Sequence, residues 1–145
     1  MTRSETAQQY FKSGFNCSQS VLGVFAHDLG ISKDSCLKIA CGFGGGIARQ
    51  QHICGAVTGA VMALGLKFGK GSNDDDAKKL FTYEKTQVLL EEFRQKHKSV
   101  NCRELLQGLD MIKDSEKIKE LGLFQSLCPG YVKDAVEITE KLLKD

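Results

Sequence analysis

The sequence contains no tryptophan, a single proline and no pair of cysteines separated by two residues. Without a CxxC pair, neither a thioredoxin-like motif nor a zinc ribbon is supported locally. Lysine and arginine form no run, and the formal net charge is only +2. A nucleic-acid-binding surface normally shows a clustered basic stripe. We therefore expect no nucleic-acid partner.

Long apolar runs are also missing. The longest uncharged apolar stretch covers residues 53–66, which is too short to span a bilayer and fits a buried helix better. The N-terminal segment MTRSETAQQY has neither an apolar core nor a twin arginine. We therefore predict no signal peptide, no membrane partner and a cytoplasmic protein.

Cysteine, by contrast, is abundant: the 145 residues include six. In a reducing compartment, this usage indicates metal binding or catalysis rather than structural disulfides. A chain of this length buries roughly two thirds of its unfolded surface on folding, so it needs no disulfide framework for stability.

Apolar residues recur at helical spacing through most of the chain, and no segment alternates in the way a half-buried strand does. We predict an all-α fold: a compact single-domain helical bundle over residues 1–145 with a buried central helix. That central helix is expected over about 54–66, where the chain carries no charge and small residues recur four apart. The other helices are predicted over about 5–13, 17–29, 33–41, 76–96, 102–106 and 127–143.

The segment CGFGGGIARQQHI, residues 41–53, must be irregular, because four glycines in five positions do not form a stable helix interior. It lacks both the GxGxxG pattern and the ending of a P-loop. A more suitable use is close backbone approach to a bulky anion, with amide groups pointing inward. The candidate cofactor-binding glycines are Gly44, Gly45, Gly55 and Gly59.

Two cysteines follow an asparagine at the predicted start of a helix: Cys17 after Asn16, and Cys102 after Asn101. Asparagine is a preferred N-cap, so each cysteine is expected in the first turn of its helix. There the free N–H groups and the helix dipole favour negative charge, so the thiol is expected to lose its proton more readily. Thiolate is the form that binds metal or attacks an electrophile.

Two further cysteines occupy similar places. Cys54 opens the central helix after the glycine segment, and Cys128 precedes Pro129 at the start of the last helix. The remaining two differ: Cys36 is expected to be a buried core residue, and Cys41 touches the glycine segment as a candidate extra thiol.

Four segments of the chain, FNCSQSVL, HICGAVTGAVMALGL, VNCRELL and CPGYVKDAVEI, resemble in order the four cysteine motifs of the C_GCAxxG_C_C family of putative redox-active proteins. The likeness covers nearly the whole chain. This resemblance implies a redox role and a bound iron–sulfur or other metal centre. The matching metal-ligand candidates are Cys17, Cys54, Cys102 and Cys128, whereas Cys36 and Cys41 lie outside the pattern.

Three hypotheses follow. The first is an electron-transfer protein that binds an iron–sulfur or related metal centre through four thiolates assembled by the fold. The second is a thiol–disulfide or peroxide-type oxidoreductase that uses low-pKa cysteines, without metal, as nucleophile and resolving partner. The third, a structural zinc site, has the least support, because a chain of this length folds without a metal.

The convergence of the four helix-start cysteines on one site is the sequence prediction that matters most for function. Sulfurs on separate faces, more than about 10 Å apart, would exclude a shared metal site. The sequence leaves open the cluster or metal type, the redox partner, the substrate and the oligomeric state. A homodimer through the small-residue face around Gly59 is one alternative, and packing of that face inside the monomer is the other.

Overall fold

The computed structural model describes residues 1–144, and within that range it is all-α, as predicted, with one isolated antiparallel bridge between Ile53 and Asn101 and no strand. The helices are α1 (Arg3–Lys12), α2 (Cys17–Gly23), α3 (Lys33–Ala40), α4 (Gly55–Phe68), α5 (Asp76–His97), α6 (Cys102–Leu105), α7 (Ser115–Leu121), α8 (Leu123–Ser126) and α9 (Cys128–Leu143), with a 3₁₀ turn at Cys41–Phe43.

Most predicted boundaries hold to within two or three residues, but the extent of the second helix was wrong. It was expected over 17–29, whereas α2 ends at Gly23. Beyond that point the chain tightens: Phe25 N–H donates to Leu22 O and Ala26 N–H to Gly23 O, three residues back. These turns still bury Phe25 completely. The apolar spacing of this segment therefore indicated the burial correctly but predicted too long a helix.

Helix α4 is the buried centre of the fold, as predicted. Seven of its fourteen residues are buried, and its neighbours are α2, α5 and α9. The approach to α2 is very close: a Cβ added at Gly59 would lie 2.7 Å from Ser18 O. The Ser18 and Thr58 hydroxyls lie 3.3 Å apart across the same contact. The small-residue face around Gly59 is therefore covered by α2 within the chain.

Helix α9 packs against α1, α4 and α5 through one apolar stripe. The residues of this stripe are buried throughout: Tyr131, Ala135, Ile138 and Leu142. No helix within residues 1–144 combines the length and the apolarity needed to cross a bilayer.

Candidate functional site

A cavity of about 780 Å³ lies where the starts of α2, α4, α6 and α9 come together. All four helix-start cysteines are in its wall: Cys17, Cys54, Cys102 and Cys128. Three of them are buried and Cys17 is partly exposed. The exposed Cys41 joins them in the wall, whereas Cys36 is buried in the hydrophobic core, as the sequence predicted.

Asparagine caps place two of these thiols. Gln19 N–H donates to Asn16 Oδ1 at 2.9 Å, and the Gln19 side chain accepts from Asn16 N–H at 3.0 Å, which completes a capping box. The second cap is simpler: Glu104 N–H donates to Asn101 Oδ1 at 3.2 Å. Each cap fixes the following cysteine as the first residue of its helix, which confirms the predicted placement.

The isolated bridge aligns Cys54 with Cys102. Cys54 N–H donates to Val100 O at 2.8 Å, and Cys102 N–H donates to His52 O at 2.7 Å. The bridge thus places Cys54 and Cys102 beside each other immediately before α4 and at the start of α6. This backbone pairing joins segments almost fifty residues apart, which no local sequence pattern reveals.

The thiols of Cys17 and Cys128 influence each other's protonation. Their hydrogen bond raises the pKa of Cys17 well above its ordinary value and lowers the pKa of Cys128. Cys128 is the first residue of α9 and Pro129 follows it in the first turn, as expected. Of the four, Cys128 is therefore the thiol that ionises most readily.

For the other three cysteines, the expected lowering of the pKa was wrong. Burial raises the pKa of Cys54 to about 12, although backbone N–H groups at the start of α4 oppose the shift. Burial and the neighbouring Cys128 raise the pKa of Cys102 to about 11. Desolvation and the neighbouring thiols outweigh the helix dipole here. These thiols therefore stay protonated at neutral pH unless a bound cation stabilises their thiolate form.

Within the glycine segment, residues 45–51 form a coil along one side of the cavity, and most of them have a left-handed backbone. Gly45 and Gly46 have φ values of 65° and 67°. At Gly46 a Cβ would lie 2.9 Å from Cys102 Cβ, and at Gly44 it would lie 2.4 Å from the Asn16 amide nitrogen. The glycines therefore leave room for one of the site cysteines and for the cap that positions another.

The expectation that amides of this segment point inward is wrong for residues 47–52. Each of those N–H groups donates to a carbonyl of residues 42–47 at 2.9–3.2 Å. Of the four candidate cofactor-binding glycines, Gly44, Gly45 and Gly55 line the cavity. Gly59 does not, because it lies under α2 in the helix contact described above.

Sequence reasoning missed several wall residues. Arg49 lies in the glycine segment itself, and the others come from later parts of the chain: Met111, Ser115, Lys119 and Tyr131. Tyr131 is buried, and its hydroxyl donates to Leu105 O at 2.7 Å. Burial, followed by the neighbouring thiols, raises its pKa to about 12. Tyr131 thus belongs both to the buried stripe of α9 and to the cavity wall.

Within residues 1–144, no group of three or more His, Cys, Asp or Glu side chains is arranged to hold a metal ion. A single zinc ion needs its sulfur ligands about 2.3 Å from one point, so the four cysteines form no preassembled single-ion site. Their donor chemistry nevertheless suits iron–sulfur ligation, and a cavity of about 780 Å³ has room for a group larger than one ion.

Residues 15–142 match a family described as "Putative redox-active protein (C_GCAxxG_C_C)". The matched range includes the four cysteines of the cavity. An uncharacterized protein from Archaeoglobus fulgidus is 32% identical over 137 residues, which cover 90% of this chain and 85% of the relative. No solved structure matches the chain.

Proposed function

The chain belongs to the C_GCAxxG_C_C family of putative redox-active proteins, and we propose that its redox centre is the four-cysteine cavity, where an iron–sulfur or other metal centre serves electron transfer. The observation that carries this proposal is the presence of the four thiols in the wall of one cavity: Cys17, Cys54, Cys102 and Cys128.

The thiols supply the donor set that iron–sulfur centres use, and a bound cluster of this kind supplies one-electron transfer. A centre with several metal ions does not need all of its protein ligands around one point, as a single ion does. A structural zinc ion is the weaker alternative, because a chain of this length folds without a metal.

The surrounding chain has two roles in this proposal. The Ile53–Asn101 bridge and the asparagine caps fix the cysteines on helix starts, so that little reorganisation accompanies a change of charge. Burial keeps water away from Cys54, Cys102 and Cys128. Solvent exclusion and nearby hydrogen bonds are the means by which proteins set the potential of a sulfur-ligated centre.

Cys17 and Cys128 line the same cavity and influence each other's protonation, which favours a second candidate, thiol–disulfide exchange without metal. In this reaction the Cys128 thiolate attacks a substrate disulfide, forms a mixed disulfide and releases one substrate thiolate. Cys17, after losing its proton, then attacks the Cys128 sulfur, forms the Cys17–Cys128 disulfide and releases the second substrate thiol. The substrate gains two electrons and two protons, which the two cysteines lose.

Purification of the full chain without oxygen separates the two candidates. We expect broad visible absorption together with stoichiometric iron and acid-labile sulfide. Serine at any one of the four cavity cysteines should remove most of the colour and iron. The matched control is Cys36→Ser, which lies in the core outside the cavity and should lower the melting temperature without changing the metal content.

A colourless protein that forms a Cys17–Cys128 disulfide on oxidation would favour thiol–disulfide exchange over the metal centre. If all four cavity variants match Cys36→Ser in both metal content and redox activity, the cavity is not the redox centre and both candidates fail.

A further inference from the structure

The charges in the cavity wall are unbalanced. The chain as a whole has 20 basic and 18 acidic residues, yet the wall contains Arg49 and Lys119 and no aspartate or glutamate. Both cations are exposed, and among residues 1–144 neither forms an ion pair. The exposed part of the wall is therefore cationic, whereas three of the four helix-start thiols in the wall are buried.

Arg49 reaches the wall through a strained backbone. Its φ is 65°, and Ile47, Ala48 and Gln51 are also left-handed at 71°, 49° and 59°. A left-handed conformation costs roughly 1–2 kcal/mol for each residue that has a Cβ. Strain of this kind persists where the surrounding structure holds it, and it is concentrated at ligand clamps and active sites.

A buried glutamine holds this strained coil against the segment that leads to Lys119. Gln51 is only 3% exposed. Its amide nitrogen donates to Leu109 O at 2.8 Å, and its carbonyl oxygen accepts from Met111 N–H at 2.9 Å. The buried Gln51 side chain thus joins the coil that carries Arg49 to the segment that precedes α7, the helix of Lys119.

From these observations we propose that the mouth of the cavity binds a small polyvalent oxyanion of the phosphate or sulfate type between the walls that carry Arg49 and Lys119. Guanidinium and ammonium groups make charge-assisted hydrogen bonds to such oxygens, and no carboxylate in the wall competes for them. The oxyanion site depends on the cavity wall alone, so it is independent of whether the cysteines hold a metal centre or exchange disulfides.

Inorganic phosphate is the probe, titrated calorimetrically into the full-length, anaerobically purified protein at low ionic strength. We expect saturable binding with a stoichiometry of one. Arg49→Gln and Lys119→Gln should each weaken the affinity by about threefold or more, and the double variant by about tenfold or more. Arg49→Lys keeps the charge at the strained position and should retain most of the binding.

Two variants control for overall charge. Lys117→Gln changes an exposed lysine on α7, and Arg94→Gln changes an exposed arginine on α5. Neither residue lines the cavity. Both should bind phosphate within about twofold of the unmodified chain. The proposal is overturned if neither phosphate nor sulfate binds the unmodified chain saturably. It is also overturned if the controls weaken binding as much as the wall variants do.

Discussion

Helix α4 and the coil of residues 45–51 lie on either side of Cys54 and affect stability in opposite directions. Helix α4 is right-handed, and half of its residues are buried. The coil is left-handed, and four of its residues other than glycine have positive φ. The helix contributes packing to the core, whereas the coil lowers stability and shapes the cavity. Backbone strain in this chain is thus placed at the candidate site.

Glycine serves a different purpose in each region. In α4, Gly55 and Gly59 allow close approach of α2, since an added Cβ would lie 3.1 Å from Ser18 N and 2.7 Å from Ser18 O respectively. In the coil, Gly45 and Gly46 supply positive φ. The same residue type thus removes volume in one region and removes a conformational penalty in the other.

The largest expected effect is a fall in stability at alkaline pH, caused by the buried thiols of Cys54 and Cys102. Thiols of the unfolded chain titrate near pH 9, whereas the folded, metal-free chain keeps the protons of Cys54 and Cys102 up to pKa values of about 12 and about 11. The folded state therefore binds more protons above pH 9. The free energy of unfolding should fall as pH rises toward 11, by about 1.4 kcal/mol per pH unit for each such thiol.

Urea unfolding of the reduced, metal-free protein at several alkaline pH values measures this slope. Thiolate absorbance of the denatured chain provides the unfolded reference. Stability that stays constant between pH 9 and pH 11 would show that these thiols are not desolvated in the folded state.

A smaller effect is expected in the helix contact. Gly59→Leu should lower the free energy of unfolding by about 1–3 kcal/mol, because the new side chain meets the α2 backbone. Gly65→Leu is the matched control, since nothing lies within 4 Å of a Cβ at that position of α4. Chemical denaturation of the two variants should separate them clearly, and equal midpoints would contradict the close packing of α2 on α4.

The smallest effect tests the strained coil and has the opposite sign. Ala48→Gly should raise stability by about 0.5–1 kcal/mol, because alanine at a φ of 49° carries the left-handed penalty and its side chain is exposed. Ala60→Gly in α4 should lower stability by about 1 kcal/mol or more, since it weakens a buried right-handed helix. If both variants lose stability in thermal melts, residue 48 is not strained.

Local rules were sufficient for most of the fold. Asparagine followed by cysteine predicted two helix starts, the proline predicted a third, and the uncharged run of small residues predicted the buried helix α4. The extent of α2 was not predictable in the same way, because Phe25 is buried in a tight turn at nearly the same spacing that a helix would produce.

The sequence alone determined that four thiols stand at helix starts, since capping and periodicity act within a few residues of the chain. Only the tertiary structure decided what surrounds them. Three features bring together residues far apart in sequence. They are the bridge between Ile53 and Asn101, the pairing of Cys17 with Cys128 in one cavity, and the hydrogen bonds of the Gln51 side chain. Burial in the resulting cavity, rather than the helix dipole, sets the pKa values of Cys54 and Cys102, because desolvation depends on every neighbour and not on local sequence.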